Sequence, residues 1–213
     1  MKRLIAIILL IFPLTLISQS ELGVSLNGGV SKLLEGDDSY FRPSFYTSIY
    51  HRIKVDKVRY LGSEFSIMQI EGKQEYYENV WNGEEHIRNY YDYLSHSTYL
   101  GLSFMLGLDI YKFTLEFRVQ VSYLMINKGE EKNKKKYDGT SIVDDSKSYT
   151  NFLDSNYDAG LRVALAYRIS NSFGVEGSFY MGIIQQHSYV GAQVFGNNQQ
   201  ICIGIKYSFW SLD

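Results

Sequence analysis

From about residue 20 onward, apolar and polar side chains alternate in a sequence of separate segments, and no long stretch carries helical periodicity. In the first segment Leu22, Val24, Leu26 and Val30 alternate with Gly23, Ser25, Asn27 and Gly29. In the second, from Arg42 to Lys54, Phe45, Ile49 and Ile53 share one face and Tyr46, Tyr50 and Arg52 the other. The third runs from Val58 past Ile70, with Leu61, Phe65 and Ile67 opposite Gly62, Glu64 and Ser66. The fourth sets Leu100, Leu102, Phe104, Leu106 and Leu108 against Gly101, Ser103, Gly107 and Asp109. In the fifth, Phe113, Leu115, Phe117, Val119, Val121 and Tyr123 oppose Thr114, Glu116, Arg118, Gln120 and Ser122. The sixth opposes Leu161, Val163, Leu165 and Tyr167 to Arg162, Ala164, Ala166 and Arg168, and the seventh Val175, Phe179, Met181 and Ile183 to Glu176, Ser178, Tyr180 and Gly182. The last has Ile201, Ile203, Ile205, Tyr207 and Phe209 against Cys202, Gly204, Lys206 and Ser208. An even set of alternating segments predicts an all-β fold, an eight-stranded antiparallel up-and-down barrel.

The links between segments alternate as regularly as the side chains. Those after the second, fourth and sixth segments are short ("VDK", "IY", "SNS"), whereas those after the first, third, fifth and seventh are long and polar. Short turns at one end and long loops at the other are the asymmetry of a transmembrane barrel of the outer membrane, with turns in the periplasm and loops outside. Both chain ends are then expected on the periplasmic side.

Alternation also fits a soluble barrel with its apolar face inward, so the other face has to decide. That face carries Arg52, Glu64, Glu116, Arg118, Arg162, Arg168, Glu176 and Lys206 among small residues that include Gly101, Gly107, Gly160, Gly174, Gly182 and Gly204. A solvated surface has no need of glycines beside its charges, whereas long side chains crossing a narrow lumen do. The apolar face is bulky and ends in aromatic residues (Phe113, Tyr123, Tyr167, Phe173, Tyr207, Phe209), as a lipid-facing band does between its aromatic girdles. The eight charged residues are therefore expected inside the barrel, paired into a network that plugs it, since an isolated buried charge is costly. The competing reading is a narrow ion or solute path lined by those charges.

The first twenty residues, with Lys2 and Arg3 before an apolar run from Leu4 to Ile17 and small or polar residues after it, are expected to be a signal peptide cleaved after Ser18 or Ser20. Residues 21–213 then form one barrel domain. Cys202 is the sole cysteine, which excludes an intramolecular disulfide. The 21 basic and 23 acidic residues give a net charge of -2 and no bulk attraction to nucleic acid. Nineteen tyrosines and eighteen glycines against two prolines suit strands, turns and aromatic belts.

With these segments, loop lengths and closing strand, the chain resembles the outer membrane protein beta-barrel family, the PorT-like group whose architecture is that of the OmpA-type membrane domain, over essentially the whole mature length. The resemblance implies location in the outer membrane of a Gram-negative bacterium and an eight-stranded barrel more firmly than any activity. It also implies that Gly204, Tyr207 and Phe209 act as an assembly signal read by the barrel-assembly machinery. Cys202 departs from the polar residue usual in that signal, and "WSLD" continues past the aromatic, where it is expected at the periplasmic rim.

Catalytic chemistry finds little support. His96 has Ser95 and Ser97 beside it, but neighbours on a strand point to opposite faces, so His96 and Ser97 do not readily form one site. A lipid-modifying enzyme is the weaker alternative, and no catalytic, cofactor-binding or metal-binding residue is assigned. Asp37-Asp38 and Asp144-Asp145 match no defined calcium loop. Across residues 127–156 the lysines of "EEKNKKK" are balanced by acidic residues, which predicts a solvated mobile loop rather than a polyanion patch. Asn82-Gly83 predicts a tight hairpin, so the third and fourth segments continue outward as a ribbon bearing Tyr76, Tyr77, Trp81, Tyr90 and Tyr91. Those rings form a possible loop binding surface for an extracellular partner; simple cross-strand pairing is the other account. The expected protein is a monomer whose partners are outer-membrane lipid, the assembly machinery and such a partner.

Overall fold

The structure is a computed structural model that describes residues 20–34, 38–81, 86–137, 140–150, 155–187 and 194–211. The leader at residues 1–19, the hairpin centre Asn82-Gly83 and the terminal Leu212-Asp213 lie outside the described residues. Among the described residues ten strands form one sheet: β1 (Ser20–Leu34), β2 (Asp38–Tyr40), β3 (Arg42–Lys54), β4 (Arg59–Trp81), β5 (His86–Ile110), β6 (Phe113–Tyr137), β7 (Thr140–Thr150), β8 (Tyr157–Arg168), β9 (Phe173–His187) and β10 (Val194–Ser211).

Eight of them close a barrel by antiparallel pairing in the order β1, β3, β4, β5, β6, β8, β9, β10 and back to β1. These are the eight alternating segments, and the burial pattern follows the alternation. Phe104 and Ile203 are each 71% exposed on the outside, while Glu116 and Arg162, in neighbouring strands, are fully buried inside. An apolar outer face this continuous belongs in lipid, not water. Ring pairs mark its two margins on β6 and β8: Phe113 with Tyr167 at 5.2 Å, and Tyr123 with Tyr157 at 5.4 Å. The ten residue steps of β6 from Phe113 to Tyr123 rise roughly 25 Å at the usual strand tilt, the height of a lipid-facing band.

At the turn end the connections are tight. In the β3–β4 turn the Asp56 carboxylate accepts the amides of Val58 at 2.9 Å and Arg59 at 2.7 Å. Tyr111, in the two-residue turn between β5 and β6, has a φ of 57°, the left-handed conformation that such turns use.

At the loop end the structure differs from expectation. The segment expected to be a mobile loop is instead the outer half of β6 and the whole of β7, paired from Lys128 opposite Thr150 to Tyr137 opposite Thr140. β2 pairs β4 at Tyr40 opposite Lys73, and the β4–β5 ladder runs to Trp81 opposite His86. Strands β2, β4, β5, β6 and β7 thus build an external sheet continuous with the barrel wall. It escapes a reading by alternation for a physical reason. Above the lipid the outer face meets water and carries polar residues like the inner one, so no apolar outer side imposes a period of two.

Candidate functional site

The lumen is filled by side chains from every wall strand. At its centre Glu116 of β6 accepts the Tyr60 hydroxyl at 2.7 Å, the Lys206 ammonium at 2.8 Å and the Arg52 guanidinium on one carboxylate oxygen, and Arg118 on the other, where Nε approaches to 2.8 Å. Arg118 also donates to Glu176 at 2.5 Å and sits 3.2 Å from Glu64, and Lys206 reaches Glu176 at 2.9 Å. Glu64 is held from the other side by the Tyr46 hydroxyl and by Ser48 at 2.9 Å. Six of the eight charges assigned to the lumen from sequence therefore form one ion-paired network: Arg52, Glu64, Glu116, Arg118, Glu176 and Lys206.

The other two are placed differently. Arg162 is inside but reaches no carboxylate among the described residues. Its guanidinium lies 3.8 Å from the Tyr46 ring centroid and 5.1 Å from that of Tyr180, and it donates to Gln200 at 2.9 Å and Ser178 at 3.2 Å. Arg168 stands at the turn-end rim, 39% exposed, with Asp109 at 3.4 Å. The network gains a member that the alternation did not single out. Glu21, at the start of β1, lies 3.5 Å from Arg52 and accepts Tyr50 at 3.1 Å and Ser208 at 2.5 Å.

Tyrosines complete the filling. Tyr46, Tyr50, Tyr60, Tyr93, Tyr99 and Tyr180 are all buried inside, where composition had suggested belts. Their signal was present, since Tyr46 and Tyr50 share a face with Arg52, and Tyr180 shares one with Glu176. Arg52 lies 4.7 Å from the ring centroids of both Tyr50 and Tyr60. Glycine makes the room. A Cβ on Gly107 would stand 1.9 Å from the Tyr60 ring. Toward the loop end, Tyr46, Met68, Ile70, Tyr93, Tyr99, Leu124, Tyr180 and Cys202 pack into an apolar layer above the charges. Cys202, in the place of the usual polar residue of the closing strand, is part of that layer. Asp158 is buried beside it, bound by Asn198 at 2.7 Å and Tyr180 at 2.9 Å.

Gln200 ties the network to the wall. The β3–β4 ladder ends at Phe45 opposite Gln69, and the Gln200 amide crosses to donate to both of those carbonyls, at 3.1 and 3.2 Å. Just beyond, Ser31 of β1 bridges to β4, exchanging hydrogen bonds of 2.9 Å with the backbone of Glu71.

On the closing strand Gly204 faces Asn27 and Tyr207 faces Val24. Tyr207 and Phe209 point outward with ring centroids 5.3 Å apart. Trp210 and Ser211 pair with Leu22 and Glu21 at the turn end, where "WSLD" was expected to begin.

In the external ribbon Tyr76 stands opposite Tyr91 and Tyr77 opposite Tyr90. Tyr91 stacks on Tyr93 at 6.4 Å and packs against the apolar layer of the lumen. The five rings thus do not share one surface, because Tyr90 and Tyr91 are on opposite faces of the sheet. The side chains of Tyr76, Tyr77 and Trp81 lie outside the described residues.

His96 faces outward, with Nδ1 3.0 Å from the Glu71 carboxylate, while Ser95 and Ser97 point inward and approach each other at 3.4 Å. Asp37 and the side chains of Asp38, Asp144 and Asp145 lie outside the described residues.

A closed eight-stranded wall, an apolar outer band between aromatic margins and a lumen packed with paired charges define a transmembrane β-barrel of the outer-membrane type. The chain belongs to the family described as "Outer membrane protein beta-barrel domain", whose sequence profile matches residues 17–188. It is accordingly an outer-membrane protein. No curated protein matches it. Among solved structures it is similar to Neisserial surface protein A (8% identity, 89% of this chain and 97% of that one, TM-score 0.42). It is also similar to the attachment invasion locus protein Ail of Yersinia pestis in complex with the heparin analogue sucrose octasulfate (12% identity, 89% and 97%, TM-score 0.38). A third is the N-terminal β-barrel domain of Pseudomonas aeruginosa OprF (8% identity, 90% and 100%, TM-score 0.33).

Proposed function

We propose that this barrel is closed to solutes, performs no catalysis, and serves as a structural platform whose contacts with other molecules are made outside the lumen, through its lipid-facing band and external sheet. The observation that carries this reading is the Glu116 cluster: three cations and a tyrosine hydroxyl converge on one buried carboxylate, and an apolar layer of tyrosines and methionine caps them. A pathway would have to break several charge-assisted hydrogen bonds at once, each leaving an unpaired charge in a site with little water. The expected partners are outer-membrane lipid, the assembly machinery acting on β10, and an external partner at the sheet; the chain acts as a monomer, exported by its N-terminal leader.

Among the described residues, the outward His96 beside Glu71 is the one arrangement that resembles a general base, but its adjacent serines face the opposite way, which supports the non-enzymatic reading. The test is conductance of the purified protein in planar bilayers. No steady openings are expected, and regular single-channel steps would replace this reading with that of a narrow channel.

A further inference from the structure

Asp158 is fully buried in the lumen yet stands outside its ion-paired network. Its side-chain donors are neutral, the Asn198 amide at 2.7 Å and the Tyr180 hydroxyl at 2.9 Å, and both go to Oδ2. Oδ1 accepts no hydrogen bond among the described residues. Nor does a cationic side chain reach the carboxylate there. Arg162, four residues along β8, is engaged by the rings of Tyr46 and Tyr180 and by Gln200 and Ser178. A buried carboxylate held only by neutral groups is costly unless a positive charge joins it.

Asn198 is the complementary partner. It is 1% exposed, gives Nδ2 to Asp158 and, at 3.4 Å, to the Tyr99 hydroxyl, and its Oδ1 is likewise without a hydrogen bond. The β9–β10 ladder breaks at this residue: Gln199 faces Met181 but Asn197 faces Gln185, so three residues of β9 stand against Asn198 alone. Irregularities of this kind re-aim a side chain beside functional sites.

Gly182, the first of those three residues, leaves room at the point where the two side chains meet. A Cβ on it would stand 2.9 Å from Asp158 Oδ1, 3.0 Å from Oδ2 and 3.3 Å from Asn198 Cβ. Two bare acceptor oxygens on buried side chains that border one space suit a hard cation. With a single carboxylate among them, one positive charge balances the site.

We propose that Asp158 and Asn198, over Gly182, hold a monovalent alkali cation, sodium in the external medium, which ties β8 to β10 at the loop end of the lumen. A cation held in this way needs no path through the charges below it, so the site stands apart from whether the lumen conducts.

The test is sodium NMR of the refolded chain in nonionic detergent, with N-methylglucamine chloride holding the ionic strength constant. Saturable broadening of the sodium line is expected, together with a urea midpoint that rises with sodium and not with N-methylglucamine. Asp158→Asn, which keeps the size of the side chain, is expected to abolish both effects. Gly182→Ala is expected to weaken sodium binding severalfold by filling the space, and Asp56→Asn in the β3–β4 turn to leave it unchanged. Broadening that survives Asp158→Asn, or binding that Gly182→Ala does not alter, would overturn the proposal. So would a sodium line that calcium restores at a far lower concentration, which would make the site one for a divalent ion. No broadening with the unaltered protein would also overturn it, leaving a proton as the partner of Oδ1.

Discussion

Arg118 of β6 and Arg162 of β8 stand directly opposite one another in the barrel wall, both fully buried. Like charges in that relation repel, and the fold resolves the repulsion unequally. Arg118 is surrounded by Glu64, Glu116 and Glu176, whereas Arg162 is drawn aside onto the faces of Tyr46 and Tyr180 and donates to the neutral oxygens of Gln200 and Ser178, with its Nε left unbonded. Cation–π contact and hydrogen bonds replace the missing carboxylate.

Arg118→Met should therefore be much more damaging than Arg162→Met. The first leaves Glu64 without a cation and Glu116 and Glu176 each short of one in a site that cannot hydrate them, at a cost of about 3–5 kcal/mol. The second leaves neutral acceptors short of a donor, at about 1–2 kcal/mol, and removes the repulsion with Arg118. Urea unfolding of the refolded protein in detergent, followed by the mobility shift of the folded barrel on gels, measures both. Equal costs would mean that the carboxylates are not held by Arg118 as described.

Gly107 makes a second prediction. The Tyr60 ring lies where a Cβ at that position would go, and the Tyr60 hydroxyl reaches Glu116. Gly107→Val should displace the ring and cost about 1–3 kcal/mol from crowding. The lost hydrogen bond to a charged group adds about 1.5–3 kcal/mol more. Adding Tyr60→Ala should recover the part due to crowding only. A double variant no more stable than Gly107→Val would show that the glycine serves something other than the tyrosine.

How far the residues disclosed the molecule follows from what surrounds each strand. Leu100 to Leu108 and Phe113 to Tyr123 announce their faces because lipid lies on one side and a packed interior on the other. The upper parts of β6 and β7 do not, since water in place of lipid on the outer side removes the contrast, and "EEKNKKK" then reads as a loop. Within the lumen, alternation assigns a side but not a depth or a partner. Arg168 lies at the rim, 39% exposed, and Arg162 is interior but set against rings instead of acids. Tyrosine hid most completely, because a residue suited to both girdles and interiors announces neither.

Asp56 in the β3–β4 turn supplies a pH dependence outside the membrane. The amides of Val58 and Arg59, then the Arg59 side chain, hold its carboxyl down at about 2 from an ordinary 3.8. A depressed carboxyl contributes stability that is fully present above its unfolded value and is lost as pH falls through the folded one. The turn should hence keep its capped geometry down to 3.8 and lose it through about 2. The amide resonances of Val58 and Arg59 in an NMR titration should report that midpoint, and Asp56→Ala should abolish the transition. A midpoint at the ordinary value would mean that the cap does not form in solution.

The two faces of the closing strand make different contacts. Tyr207 and Phe209 face outward, and the β1–β10 register slips beside Phe209, with Gly23 opposite Ser208 and Leu22 opposite Trp210. Lys206 turns inward to Glu116 and Glu176. If the outward rings are what the assembly machinery reads, Phe209→Ser should lower the amount of protein in the outer-membrane fraction several-fold while changing the urea midpoint of refolded protein little. Lys206→Met should do the reverse, weakening the refolded barrel by leaving two carboxylates short of a cation while leaving the outward face of the strand intact. Immunoblots of membrane fractions set beside refolding curves for both variants make the comparison. Loss of level in step with loss of stability in both would remove any separate role for Phe209 in recognition, and its position would then be explained by lipid contact alone.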